Sequence, residues 1–182
     1  GQCVGDSIVK VDMFLNHRLD TRLMFAMGRE LADYFGKDKP DIVLTVEASG
    51  IALALAAAHF LDDIPVVFAK KSPAANQSAD MLTAVAHSFT HGNDNALRVD
   101  RRYLPAGSRV LVVDDFLADG EASRALISIV EQAGCTLVGV GIAVEKGFQP
   151  GGRRLREAGV NLKSLAIVTS IQDGCIQLAD DD

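Results

Sequence analysis

The stretch "RVLVVDDFLADGEAS" (109–123) runs from a strand-forming segment straight into two adjacent carboxylates, Asp114 and Asp115, then through a small, turn-prone loop into a helix start. Like charges repel, so a fold that gathers Asp114, Asp115, Asp119 and Glu121 at one strand end must have a use for them. In open α/β sheets, ligands bind beyond the carboxyl ends of the strands, where the connections diverge. Carboxylates there accept hydrogen bonds from hydroxyls or order magnesium and its waters. The free amides and dipole of the helix that follows make an anion site. The charges then divide by role: main-chain amides hold a phosphate, and side-chain carboxylates face hydroxyls and metal. Successive strand residues point to opposite faces, which lets the two acids serve different groups.

The rest of the chain alternates in the same style. Asp20 is expected to cap a helix over "TRLMFAMGRELADYF", with Leu23, Met27, Leu31 and Tyr34 as its apolar stripe and Gly36 as its stop. Short apolar runs at 41–46, 65–70, 109–115, 136–146 and 162–168 read as strands, and 51–60, 121–133 and 152–158 as helices. Strands apolar on both faces and joined by helices predict a doubly wound, mostly parallel α/β sheet, with residues 1–182 as a single domain. One segment departs from this. "KKSPAANQSAD" (70–80) is small and polar, and two extended pieces at 83–91 and 95–104 follow it, predicting a loop and an antiparallel excursion.

Composition narrows the function. Hydrophobic residues make up 48% of the 182, and the net charge of −6 argues against non-specific binding to nucleic acid or anionic membranes. The leading Gly is expected to follow a trimmed start, and no leader pattern opens the sequence. Cys3, Cys135 and Cys175 are odd in number and lack C-x-x-C spacing, which predicts reduced thiols and a cytoplasmic protein. His17, His59, His87 and His91 share no metal-ligand spacing and are expected to be structural. "GVGIAV" (139–144) lacks the third glycine of a dinucleotide site and lies inside a strand run, and no P-loop motif is present. A phospho-acceptor receiver domain places its acid pair on its first strand. Here much of the core precedes the pair, and the later strand end carries Glu145 and Lys146 instead of an acceptor Asp.

With these residues in view, "VLVVDDFLADGEA" resembles the phosphoribosyl-pyrophosphate signature of type I phosphoribosyltransferases, and "TVEASGIALALA" (45–56) resembles their pyrophosphate loop. "VKVDMFLNHRLD" (9–20), "TAVAHSFT" and "GIAVEKGFQPG" (141–151) are similar to the xanthine-using bacterial branch of the purine subgroup. The resemblance runs nearly from Ile8 to Asp173. It implies the type I fold, with a small hood and a flexible antiparallel excursion. It also implies a magnesium-dependent homodimer that transfers the phosphoribosyl group from phosphoribosyl pyrophosphate to xanthine.

Residue by residue, the resemblance implies that Asp114 and Asp115 contact the ribose hydroxyls or the magnesium shell. Ala118, Asp119, Gly120, Glu121 and Ala122 would wrap the 5-phosphate. Glu47, Ala48, Ser49 and Gly50 would cradle pyrophosphate, with Lys70 and Lys71 reaching toward it. Val9, Asn16 and Lys146 would hold the base, with Phe116 and Phe148 against the ring. A lysine ammonium donates and cannot accept, which suits an oxopurine and disfavours adenine. The family usually carries Asn and Gln where this chain has Asp119 and Glu121, so both carboxylates are expected to point away from the phosphate. The alternatives are a hypoxanthine- or guanine-using relative, and a non-catalytic regulator that senses the phosphoribosyl donor. The regulator would need a basic surface, and this chain is acidic.

Overall fold

The computed structural model describes residues 2–4, 8–72, 80–87, 94–172 and 175–179. Most of the loop expected at 70–80, the end of the first excursion strand and His91 lie outside the described residues. In chain order, a hairpin of β1 (Gln2–Val4) and β2 (Ile8–Lys10) leads into one π-helical turn (Asp12–Asn16) and α1 (Thr21–Phe35). Then come β3 (Ile42–Val46), α2 (Gly50–Phe60), β4 (Val66–Ala69), β5 (Met81–His87) and β6 (Asp94–Asp100). The chain continues through β7 (Arg109–Leu117), α3 (Glu121–Gln132), β8 (Thr136–Lys146), α4 (Gly151–Glu157), β9 (Leu162–Gln172) and β10 (Cys175–Leu178).

Six strands form one sheet in the order β10-β9-β8-β7-β3-β4. β10 pairs antiparallel with β9, and the remaining neighbours are parallel. The apolar strand runs follow from burial on both faces. Leu111 and Val113 of β7 enter one core with α1 and α2, while Val110 and Val112 enter the other with α3 and Leu155 of α4. Each such side chain contributes roughly 1.5–3 kcal/mol on burial. "GVGIAV" is strand interior, as the sequence suggested. Among the described residues no helix is long and apolar enough to cross a membrane.

The antiparallel excursion is present. β5 and β6 pair from Met81↔Asp100 to His87↔Asp94, and paired backbone bonds between Lys70 and Arg98, at 2.9 and 3.0 Å, join them to the main sheet. β6 stops at Asp100, short of the expected 104, because a 3-10 turn caps it with Asp100 accepting from the Arg102 amide. The ribbon docks on the end of α3: Arg101 donates to Asp80 (3.1 Å) and to the Gln132 carbonyl (2.9 Å), and Gln132 donates to the Thr83 carbonyl (3.1 Å).

α1 runs between its expected ends, Asp20 and Gly36, but its buried face corrects the sequence reading. Asp20 does cap it, accepting from the Leu23 amide at 3.0 Å. The buried face, however, is Met24, Gly28, Leu31, Ala32 and Phe35, while Leu23 is exposed. The face is turned because Gly28 lies against α2: a Cβ there would sit 2.5–2.8 Å from Ala56 atoms. Gly36 does not end the helix in a left-handed cap. Its φ is −60°, the chain tightens into a 3-10 turn over Gly36–Asp38, and Lys39 takes the left-handed conformation instead.

Candidate active site

β7 carries its acid pair to the carboxyl end of the sheet and buries it, with Asp114 4% and Asp115 6% exposed. The Asp115 amide donates to Asp114 Oδ1 at 3.0 Å. Asp115 Oδ2 faces Asn16 Nδ2 at 3.5 Å, so the π-helical turn reaches the same strand end. Burial, and then the charge of Asp115, push the Asp114 carboxyl well above the usual carboxylate range, while the Asp115 amide and the Lys71 charge oppose them. Asp114 also meets the start of α2. A Cβ on Gly50 would collide with Thr45 Oγ1 and come 2.8 Å from Asp114 Oδ1, so only glycine lets the helix start this close. Thr45 Oγ1 is buried and has no hydrogen-bond partner among the described residues.

α2 after Ser49 and α3 after Gly120 both begin at this end without side-chain caps. Their first turns therefore offer amides to an anion, except that the Ile51 amide already donates to the Ala48 carbonyl at 3.3 Å. The turn before α3 needs glycine at 120, where φ is 86°. It is braced by α4, whose Gly151 amide donates to the Ala118 carbonyl at 3.0 Å. Glu121 turns along α3 to accept from Arg124 at 3.0 Å. On the other side, the Glu47–Ala48 peptide is cis and Glu47 Oε1 accepts from the Lys71 amide at 2.6 Å. The Glu47 side chain is thus committed to Lys71.

The residues expected at the base site are only partly gathered. Lys146 Nζ lies 5.9 Å from the Phe116 ring centre, and Asn16 stands by Asp115. Phe148 is exposed. Val9 lines a separate apolar cavity of about 510 Å³ with Phe14, Met27, Val144 and Ile176, and neither Asn16 nor Lys146 lines it. Lys70 joins the ribbon through its backbone, and its side chain is exposed.

The sequence reading missed a buried cluster beside this site. Glu145 accepts from Arg156 Nη1 and Nη2, each at 2.7 Å, and from Ser164 Oγ at 2.5 Å. Burial would raise its pKa, but the Arg156 fork, the Ser164 hydroxyl and the guanidinium charge together hold it below the usual range. The one visible signal was an acid next to Lys146 at a strand end. Among the described residues no group of three or more His, Cys, Asp or Glu side chains gathers to hold a metal. His59 pairs with Asp63 at 2.8 Å on the surface.

Comparison with known proteins places this arrangement. The profile of the phosphoribosyl transferase domain matches residues 15–180. The chain belongs to that family. It is 47% identical over 173 residues to a xanthine phosphoribosyltransferase of Clostridium perfringens, covering 95% of this chain and 91% of that protein. It is 42% identical over 181 residues to the xanthine phosphoribosyltransferase of Geobacillus thermodenitrificans, covering 100% of this chain and 93% of that one. Among solved structures, the adenine phosphoribosyltransferase of Thermoanaerobacter pseudethanolicus superposes with a TM-score of 0.70 at 25% identity, covering 81% of each chain. This phosphoribosyltransferase therefore has the type I fold expected from its acid-pair motif. Its mostly parallel sheet carries the antiparallel ribbon and, at the opposite edge, an antiparallel strand that the sequence did not announce.

Proposed function

We propose that this chain transfers the 5-phosphoribosyl group from phosphoribosyl pyrophosphate to xanthine, giving xanthosine 5-phosphate and pyrophosphate. The observation that carries the reading is the buried Asp114–Asp115 pair set between two uncapped helix starts. One start suits the 5-phosphate, through the amides of Ala118 to Ala122. The other suits pyrophosphate, through the amides of Ala48 to Gly50, with Lys71 beside it; the Glu47 amide is already taken by the Ala69 carbonyl at 3.1 Å. The acid pair between them addresses the ribose hydroxyls.

In the reaction a purine ring nitrogen bonds to the ribose carbon as the bond from that carbon to pyrophosphate oxygen breaks, and the nitrogen's proton is lost. Positioning and charge stabilisation dominate such a step. Lys146 donates to the oxygens of the base, and Asn16 supplies an amide beside Asp115. The carboxyl oxygens of Asp114 and Asp115 are hard donors that would hold magnesium together with the substrate. Magnesium, when bound, supplies neutralisation of the leaving pyrophosphate's charge. Glu121, tied to Arg124, leaves phosphate binding to the backbone amides.

We also propose that the protein works as a homodimer in the cytoplasm. Phe25 and Leu55 are exposed and line one apolar groove with Ile64 on the α1–α2 face, the kind of patch a second copy covers. Cys135 and Cys175 are free thiols, which suits a reducing compartment.

The test is to incubate purified protein with magnesium, phosphoribosyl pyrophosphate and each of xanthine, guanine, hypoxanthine and adenine, measuring nucleotide and pyrophosphate. Xanthine is expected to give the highest kcat/KM. No nucleotide from any base would overturn the enzymatic reading, and a preference for another base would overturn the substrate.

A further inference from the structure

Glu145 has no part in the chemistry above, yet it is only 3% exposed and ties its own strand to two other elements. It stands at the end of β8, its partner Arg156 is on α4, and Ser164 is on β9. It also fills the space beside the first turn of α4, because any side chain at Gly152 would collide with Glu145 Oε1. Gly151, the neighbouring residue, has no room for a Cβ either: the Ala118 carbonyl and the Gly120 amide, 2.7 Å away, occupy that space. Its own amide bonds the Ala118 carbonyl at 3.0 Å. A continuous path of contact thus runs from Glu145 through the first turn of α4 to the loop before α3.

On its other side Glu145 is joined to Lys146. Successive strand residues face opposite ways, so fixing Glu145 toward α4 aims Lys146 toward Phe116. A two-pronged guanidinium–carboxylate contact fixes orientation as well as distance. Apolar side chains of similar volume would hold β8, α4 and β9 together at least as well, so stability alone does not call for a buried charge here.

We infer that Glu145, through its fork with Arg156, is a positioning residue that holds Lys146 and the 118–122 loop in one fixed relation, so that the base and the phosphoribosyl donor are bound in register. The inference rests on the activity proposed above, and the experiment separates the two. Wild-type protein that makes no nucleotide refutes the activity; active wild-type protein then serves as the reference for the variants.

Steady-state kinetics would be measured for wild type, Glu145→Gln, Arg156→Lys and Ser164→Ala, varying xanthine and phosphoribosyl pyrophosphate in turn. Leu104→Ala serves as a control for lost stability, because Leu104 is buried in a turn away from the site. Glu145→Gln is expected to raise KM for both substrates by about tenfold while kcat falls less than about threefold, the pattern of disturbed binding groups. Arg156→Lys keeps the charge but not the fork and should raise both KM values by about threefold. Leu104→Ala should leave both within about twofold even where its Tm falls further. Should Glu145→Gln fail to fold, Arg156→Lys and Ser164→Ala carry the same test with the smaller change expected. Unchanged KM values, a change in one substrate only, or an equal change in Leu104→Ala would overturn the inference.

Discussion

Asp114 is a carboxyl group whose surroundings oppose its charge. Burial and the neighbouring Asp115 raise its folded pKa above the unfolded value, so its favourable contribution to stability is complete below about pH 4 and is lost as pH rises through the raised value. Asp114→Asn is therefore expected to raise the Tm of ligand-free protein at pH 7 while lowering nucleotide synthesis by about 10²-fold. Thermal melts and the pyrophosphate assay check both halves, and a lowered Tm would contradict the electrostatic account. Glu145 has the opposite sign. Its folded pKa is depressed, so its contribution is present above the ordinary Glu range and is lost as pH falls through the folded value. The stability gap between wild type and Glu145→Gln should then narrow below about pH 4, measured by urea unfolding across pH. The acid pair was legible because strand, acids, small loop and helix start are contiguous in sequence. The Glu145 cluster was not, because its partners lie 11 and 19 residues away on other elements.

Among the elements, α1 shows where periodicity misleads. The pattern Leu23, Met27, Leu31, Tyr34 fits a helix, but close approach to α2 at Gly28 selects a neighbouring stripe. Gly28→Ala tests that approach. Helix propensity favours alanine by about 1 kcal/mol, whereas overpacking against the Ala56 backbone costs about 1–3 kcal/mol. The second effect wins because a backbone atom cannot rotate aside. A lower Tm is expected, by about 2–4 °C per kcal/mol lost, and a raised Tm would show that the helices separate freely. The parallel strands were readable as uninterrupted apolar runs buried on both faces. β1, β2 and β10 were not, because they are short, and most of β10 is exposed, which leaves little hydrophobic pattern to read.

At the scale of the whole molecule, the β5–β6 ribbon meets the central sheet at one backbone bridge and is held mainly by Leu82, Ala86, Leu97 and Val99 packed into the core beside α3. The Arg101–Asp80 pair is exposed on both sides and is worth less than about 1 kcal/mol. Arg101→Ala is expected to leave the global Tm nearly unchanged while amides of β5 and β6 exchange faster than those of β7 and β8, read by hydrogen exchange and mass spectrometry. Equal acceleration in β7 would sink that picture. Lys71 is tied to Glu47 just before α2, and Asp80 is tied through Arg101 to the end of α3. Both Lys71 and Asp80 are thus held by contacts outside the segment that separates them. Grafting a longer or more basic sequence between Lys71 and Asp80 is then expected to leave the register of β3, β4 and β7 as it is.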